Sequence, residues 1–448
     1  MSASSVTSIS ARLDRLPITS LHKRAVIALA FAYFYELGDI NTFGFAAPGM
    51  IRYWHIPVST IAFAISMTFF GMFLGATFGG WFADRMGRKR GFIISVLIFT
   101  LASLANAVSW DVASLAFFRF VTGVGLSAMT VIANTYVSEV FPARARGKYL
   151  GYVMTIGLIG IPATAWVARF LVPLGPWGWR VVFVWGAFGL FALIFATRMV
   201  DSPRWLHLHG RNNDAEEAIA ALEQAARTEG LPIAEAVAQS DEVTGSHTSY
   251  AELFAPAQRG RTWMLIAAWV FQTLGFYGFM AWVPTLLVKH GFNIVESLTF
   301  SSVIAICSPL GALIASQIVE RFDRKWLITV IAVFIAVCGL LYGLTFQPAF
   351  IMIFGALVVL GIQAFAATLY VYTPELYPTR MRSSGHGLTY GIGRAANIFG
   401  PFIVAFFFDH FGYGSVFMYI AACWVLTAIV VGAFGPSTTG RSLESLNR

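Results

Sequence analysis

The chain has 448 residues; 57% are hydrophobic, 12% are charged, and the formal charge is +8. A soluble domain carries about a quarter charged residues, so this chain has about half the supply needed to dress a globular surface. A soluble enzyme, a disordered chain and a secreted disulfide scaffold therefore do not fit.

Twenty apolar residues cross a bilayer core of about 30 Å, and the apolar runs predict twelve such crossings. The expected organisation is a tail over 1–23, six spans within 24–199, a polar segment over 200–261, six more spans within 262–434, and a tail over 435–448. The first six spans are read at roughly 24–48, 58–82, 91–110, 112–138, 148–173 and 178–199. In the polar segment, Asn213 or Asp214 as cap, Glu216 and Glu217 in a first turn, Arg227 near the end and Gly230 as stop predict one helix outside the membrane. The second six spans are read at roughly 262–288, 299–319, 326–345, 348–373, 386–409 and 412–434.

Of 30 Lys and Arg, 24 fall in the two tails and every second loop. Arg52, Arg180 and Lys289 fall in the alternate loops, while Arg119, Arg169 and Arg394 fall inside spans. That asymmetry puts both tails in the cytoplasm and makes the number of spans even. The excess positive charge orients the chain and meets anionic lipid, with no call for a nucleic acid. Cys307, Cys338 and Cys423 sit in apolar runs without paired spacing, so no disulfide is expected. The polar start, Met1 to Ser20, does not read as a cleavable signal.

The two sets of six are repeats. Gly80-Trp-Phe-Ala-Asp84-Arg85-Met-Gly87-Arg88-Lys89 follows the second span, and an offset of 236 residues brings it onto Ser316-Gln-Ile-Val-Glu320-Arg321-Phe-Asp323-Arg324-Lys325 after the eighth. The same offset carries Glu139, Pro142, Arg144 and Arg146 onto Glu375, Pro378, Arg380 and Arg382, and Pro48 onto Pro284. Parallel six-helix repeats are the arrangement of the major facilitator superfamily. The segment Gly80 to Lys89 also matches that superfamily's loop signature, and the resemblance runs from about residue 24 to 434. It implies an all-α membrane fold of twelve spans in two parallel repeats, and a transport function.

Within that superfamily, Arg119 with Gly123 and Gly125 resembles the fourth span of sugar porters, as does Ser202-Pro203-Arg204-Trp205 after the sixth. Thr373-Pro-Glu375-Leu-Tyr-Pro378-Thr-Arg380-Met-Arg382-Ser-Ser-Gly385 resembles bacterial niacin and metabolite–proton symporters and synaptic-vesicle-2-like proteins, and Gly393-Arg394 before Gly400-Pro401 fits the same group. The paired glutamines of true sugar porters are missing from the seventh span, which reads Phe271-Gln272-Thr273-Leu274-Gly275-Phe276-Tyr277, and the tenth reads Gly361-Ile-Gln363-Ala-Phe365. Gly157, Gly160 and Pro162 keep only fragments of the drug-antiporter motif, which favours symport over export. Asp323 stands where the first repeat has Gly87, so the two loops are expected to be unequal.

Among 22 acidic residues only Glu36 and Asp39 fall well inside a span. An ionised Asp at mid-bilayer costs about 2.5–3.5 kcal/mol on insertion scales, so two of them need a reason. At i and i+3 they share a helix face. Their repeat counterparts are Gln272 and Gly275, so the scaffold does not need acids there. Arg119, whose counterpart is Gly355, is the natural counter-charge. The resemblance to proton-coupled sugar porters implies pairing of Asp39 with Arg119. Two readings of that pair stand: a proton switch, in which separation from Arg119 lets the acid take up a proton, and a static ion pair joining two helices. Glu36 is the second candidate carrier, or a hydrogen-bonding partner of Tyr33 or of groups near Asn41.

Arg394, mid-span in the eleventh helix, suits a carboxylate solute or a structural partner. Gln272, Tyr277, Gln363, Tyr390 and Asn397 are the further candidates for lining a solute site. Arg169, near the end of the fifth span, is expected to snorkel to headgroups. Asp84, Arg85, Gly87, Arg88, Glu139 and Arg144, with Glu375 and Arg380 in the second repeat, are candidate gate residues at the cytoplasmic face. No metal spacing and no converging Ser/His/Asp set appears, so neither an enzyme nor a cofactor is expected. The sequence thus points to a monomeric importer of a small organic solute, an aromatic or other carboxylate, with protons, multi-pass in the cell's inner membrane. A facilitator, a carrier of cations, polyols or sugars, and a transporter-like sensor are the alternatives.

Overall fold

Hydrocarbon offers no hydrogen bonds, so a spanning backbone must satisfy its own groups, and helices do so within one segment. The computed structural model describes residues 9–234, 250–378 and 381–438, and among these every regular element is helical. Among the described residues, eleven helices are long and apolar enough to cross a membrane. The twelfth crossing is Ser20–Trp54, a 35-residue helix whose apolar stretch is interrupted by Glu36, Asp39 and Asn41. At 1.5 Å per residue it is about 50 Å long and overruns the hydrocarbon at both ends.

The remaining spans of the first half are Val58–Met86, Arg88–Ala107, Val112–Val140, Ala143–Leu171 and a sixth in which Gly178–Ala187 and Ala192–Ala196 are joined by a tighter 3-10 turn, Phe188–Phe191. Local signals set several starts. Asp111 accepts from the Ser114 amide at 2.8 Å and begins the fourth span with a capping box. In the second half, spans nine, ten and twelve are continuous helices, Arg324–Leu344, Pro348–Glu375 and Tyr413–Phe434. Spans seven, eight and eleven are each broken: Arg259–Met280 and Val283–Lys289, Ile294–Ala305 and Cys307–Ile318, Arg382–Ala396 and Gly400–Phe411. Pro284, Pro309 and Pro401 sit just past the three breaks, where a missing N–H is tolerated. Pro48, the repeat counterpart of Pro284, lies inside an unbroken helix.

The helix of the polar segment is Asn212–Thr228, followed by Gly230 at φ +66°. Its N-cap is Arg211, not Asn213 or Asp214; Arg211 reaches forward to Asp214 at 2.6 Å instead. A short helix before the first span, Ile9–Arg15, docks on it through Arg12 with Glu216 (2.6 Å) and through Arg12 and Arg15 with Glu223 (3.1 and 3.0 Å). These elements mark one face of the molecule, the tail face.

The halves meet away from that face. Near the far end of span five, Arg169 Nε donates to Thr299 Oγ1 of span eight. The expectation that Arg169 snorkels to headgroups is therefore corrected: it finds a hydroxyl across the half interface. The backbones of Gly44 and Ala281 also touch there. Nearer mid-depth, Phe69 packs edge-on to Tyr277 at 4.7 Å, and Met72 Sδ lies 3.8 Å from Arg394. On the tail face, by contrast, the ion pairs Arg88–Glu139 and Arg324–Glu375 each stay within one half.

Candidate functional site

The two acids of span one sit within one helical turn of each other but in different surroundings. Asp39 Oδ2 pairs with Arg119 Nη1 at 2.8 Å, and neither side chain has any exposed surface. Ser103 donates to Asp39 Oδ1 at 2.8 Å, and Arg119 Nε donates to Thr68 Oγ1 at 3.1 Å. The rings of Phe43 and Phe183 flank the guanidinium at 5.8 Å each. Span six can come this close only through Gly186: a Cβ there would sit 2.7 Å from Asp39 Oδ1 and 2.6 Å from Ser103 Oγ. The pair is closed to water, and its hydrogen-bonding groups answer one another. Removing either charge would strand the other, at about 3–5 kcal/mol.

Glu36 is buried as well, at 2% exposure, but half of its carboxylate is unanswered. Thr130 donates to Oε1 at 2.6 Å, while Oε2 has no hydrogen-bond partner. Neither sequence-expected partner serves it: the Tyr33 hydroxyl donates to Asn134 at 2.8 Å, and Asn41 donates to Leu37 O at 2.9 Å. Across the half interface it lies within electrostatic range of Arg394.

Arg394 belongs to span eleven, just before that helix breaks. Its Nε and Nη2 both donate to the Tyr390 hydroxyl, the first at 2.8 Å, and its guanidinium lies 5.0 Å over the Tyr390 ring. The third contact is Met72 Sδ of the first half. Its hydrogen-bonding partners are thus a phenol and a thioether. Arg394, Tyr277 and Tyr390 each keep some exposed surface although they lie within the bundle.

The other expected lining residues divide. Gln272 donates to Thr273 Oγ1 at 2.8 Å and leaves Oε1 unpaired. Asn397 is 1% exposed with Nδ2 unpaired, and Gln363 packs against Gly311 of span eight with Nε2 unpaired. Sequence reading missed Trp424 of span twelve, whose buried indole N–H is also unpaired and abuts Gly275. It missed Trp269, Tyr370 and His386 too, which pack around Tyr390.

At the tail face, Arg88 grips Glu139 with two bonds of 2.9 and 2.7 Å and Asp84 with one of 2.7 Å. Gly87 holds φ at +92°, and a Cβ there would meet Asp201 Oδ2 at 2.8 Å, so glycine is required on both counts. Arg85 turns away onto the Trp81 ring at 4.2 Å, and Arg144 reaches Leu16 O at 3.4 Å. Glu375 faces Arg324 at 3.5 Å; Arg380 lies outside the described residues.

The chain matches the profile of the family described as sugar (and other) transporter over residues 25–448. It is 44% identical to the putative metabolite transport protein YyaJ of Bacillus subtilis over 96% of both chains. It is 29% identical to the niacin transporter NiaP of Acinetobacter baylyi, over 97% of this chain and 98% of that one. Among solved structures, the partially occluded inward-open xylose transporter XylE of E. coli superposes with a TM-score of 0.75 at 16% identity, covering 94% of this chain and 99% of the other. That likeness shows a common fold.

Proposed function

Because the chain belongs to the sugar (and other) transporter family of the major facilitator superfamily, we propose that it carries a small organic carboxylate, aromatic or otherwise, together with protons by alternating access. It is a multi-pass membrane transporter and not an enzyme. The observation that carries the finer reading is Arg394, an intramembrane guanidinium at the half interface answered only by a phenol and a thioether. A carboxylate solute would supply the bidentate partner it lacks. The likeness to a niacin transporter supports this, niacin being an aromatic carboxylate.

Coupling is assigned to Asp39, Arg119 and Glu36. As the halves move, Asp39 exchanges Arg119 for a proton, and re-pairing with Arg119 returns it. Glu36, facing Arg394 across the interface, links the proton to the solute. Gln272, Tyr277, Gln363, Tyr390 and Asn397 complete the solute site. Asp84, Arg85, Gly87, Arg88, Glu139 and Arg144 form the first-half gate, with Glu375 and Arg380 opposite. The protein sits in the inner membrane as a monomer with both termini cytoplasmic, and the arrangement described is the inward-facing one, since the halves meet away from the tails.

The test is uptake of labelled nicotinate and benzoate into vesicles under an inward acid gradient. Accumulation above equilibrium is expected for the native chain, and Asp39→Asn should abolish accumulation yet retain exchange. No accumulation of either acid by the native chain would leave a passive carrier or a receptor. A polyol or sugar is the competing solute, favoured by the unpaired amides of Gln272, Gln363 and Asn397; its uptake would be indifferent to Arg394→Ala.

A further inference from the structure

His386, Tyr390 and Arg394 follow one another at four-residue spacing in the first segment of span eleven, so they stack along one helix face about 6 Å apart. The rings of His386 and Tyr390 are nearly parallel, 5° apart, with centroids at 6.0 Å. Trp269 of span seven stands edge-on to both, at 84° and 85° and at 6.0 and 5.1 Å. Tyr370 of span ten closes a third side, 5.7 Å from each.

The four rings are not equally buried. Trp269 is 2% exposed, and its indole N–H donates to Thr373 Oγ1 at 3.1 Å, so it is a fixed wall. Tyr370 keeps 39% of its surface, and His386 and Tyr390 are partly open. His386 Nδ1 is buried with no hydrogen-bond partner. A cluster that served packing alone would bury its rings and satisfy its polar atoms. Its neighbour also restricts what can bind. Arg394 already occupies the cation position over Tyr390, so a second cation would meet like charge, whereas an uncharged ring bearing a remote anion would not.

We propose that Tyr370, His386 and Tyr390, backed by Trp269, form a ring-reading subsite beside Arg394, and that the preferred solute is a planar aromatic carboxylate. Its carboxylate takes Arg394, its ring lies on these side chains, and a ring nitrogen or hydroxyl pairs with His386. This rests on the carboxylate reading above and adds the residues that choose among carboxylates.

The test is equilibrium binding to the purified full-length protein of benzoate, nicotinate, 4-hydroxybenzoate, hexanoate as an acyclic acid of equal charge, and choline as a cation. The native chain should bind benzoate about tenfold or more tighter than hexanoate. Tyr370→Ala and His386→Ala should bring that ratio near one while hexanoate binding stays within about twofold. His386→Phe, which keeps a ring and controls for folding, should retain benzoate but lose any added preference for nicotinate and 4-hydroxybenzoate. A ratio unmoved by the Tyr370 and His386 variants overturns the subsite, and so does choline binding more tightly than benzoate. If the native chain binds benzoate and hexanoate equally and Arg394→Ala weakens both, the subsite falls and the carboxylate reading stands. If neither acid binds, both fall.

Discussion

In the first half, Asp39, Ser103, Thr68 and Arg119 close on one another without exposed surface at the ion pair, and Arg88 holds two carboxylates at once. In the second half, Gln272 Oε1, Gln363 Nε2, Asn397 Nδ2 and Trp424 Nε1 end buried without a partner, and Arg394 finds a phenol and a thioether. The same duplicated scaffold thus closes one charge pair on itself in the first half, where Glu36 Oε2 alone of the intramembrane acid oxygens is left over, and leaves an arginine and several amides to be satisfied in the second. Three spans of the second half, seven, eight and eleven, are broken against one, the sixth, in the first, and broken helices are where a transporter lets backbone line a site. The proposed division of labour is that the first half stores the coupling charge and the second receives the solute.

The most damaging way to break this contrast is to leave a charge alone in the closed half. Arg119→Leu should cost about 3–5 kcal/mol, because Asp39 is then buried without a counter-charge. Adding Asp39→Asn should recover much of that loss, which thermal unfolding of the single and double variants would measure. A double variant no more stable than Arg119→Leu alone would mean that the pair is not the unit it looks like.

In the second half the same kind of change should leave stability nearly intact and fall on binding. Arg394→Ala removes no ion-pair partner, so its loss should appear as about 2 kcal/mol, roughly thirtyfold in Kd, for an anionic ligand. A neutral analogue such as nicotinamide should be little affected, and equal losses for both would refute the carboxylate contact. At the tail face the contrast should be milder. Arg88→Ala, which releases Glu139 and Asp84, should cost about 1.5 kcal/mol, and Arg324→Ala, whose contact with Glu375 is 3.5 Å long, should cost less.

Much of this was legible because intramembrane charge is rare. Glu36, Asp39, Arg119 and Arg394 stand out of an apolar background, and the offset repeat shows that each breaks the symmetry of the halves. The spans were legible for the same reason, though the first was read as 24–48 and runs from Ser20 to Trp54: a helix does not stop where its hydrophobicity does. The helix breaks were hidden, since Pro48 is carried inside a helix while Pro284 follows a break. Thr68, Ser103 and Thr130 gave no signal, because such hydroxyls commonly bond to their own helix, as Thr68 also does to Ala64 at 3.3 Å. The ring cluster was lost among 41 Phe, 15 Tyr and 13 Trp. Arg169 was misread because snorkelling needs only a position near a span end, whereas its bond to Thr299 depends on how the halves dock.

The smallest effect concerns the clasp between Ile9–Arg15 and Asn212–Thr228, which belongs to the satisfied side of the contrast but lies outside the membrane. Burial pushes the Glu223 carboxyl up, and the hydrogen bonds from Arg12 and Arg15 more than offset this, holding it below the ordinary glutamate range. An acid whose folded value is depressed adds stability in full above its unfolded value, about 4.3, and loses it as pH falls through the lower folded value. Partly exposed pairs of this kind are worth about 1 kcal/mol or less, so the clasp should loosen only below about pH 4, without unfolding the spans. Hydrogen exchange of residues 9–16 should therefore rise on acidification, and Glu223→Gln should show the raised exchange already at neutral pH. If that variant exchanges like the native chain, the clasp is held by Leu13 and Leu16, both fully buried, and the ion pairs contribute nothing measurable.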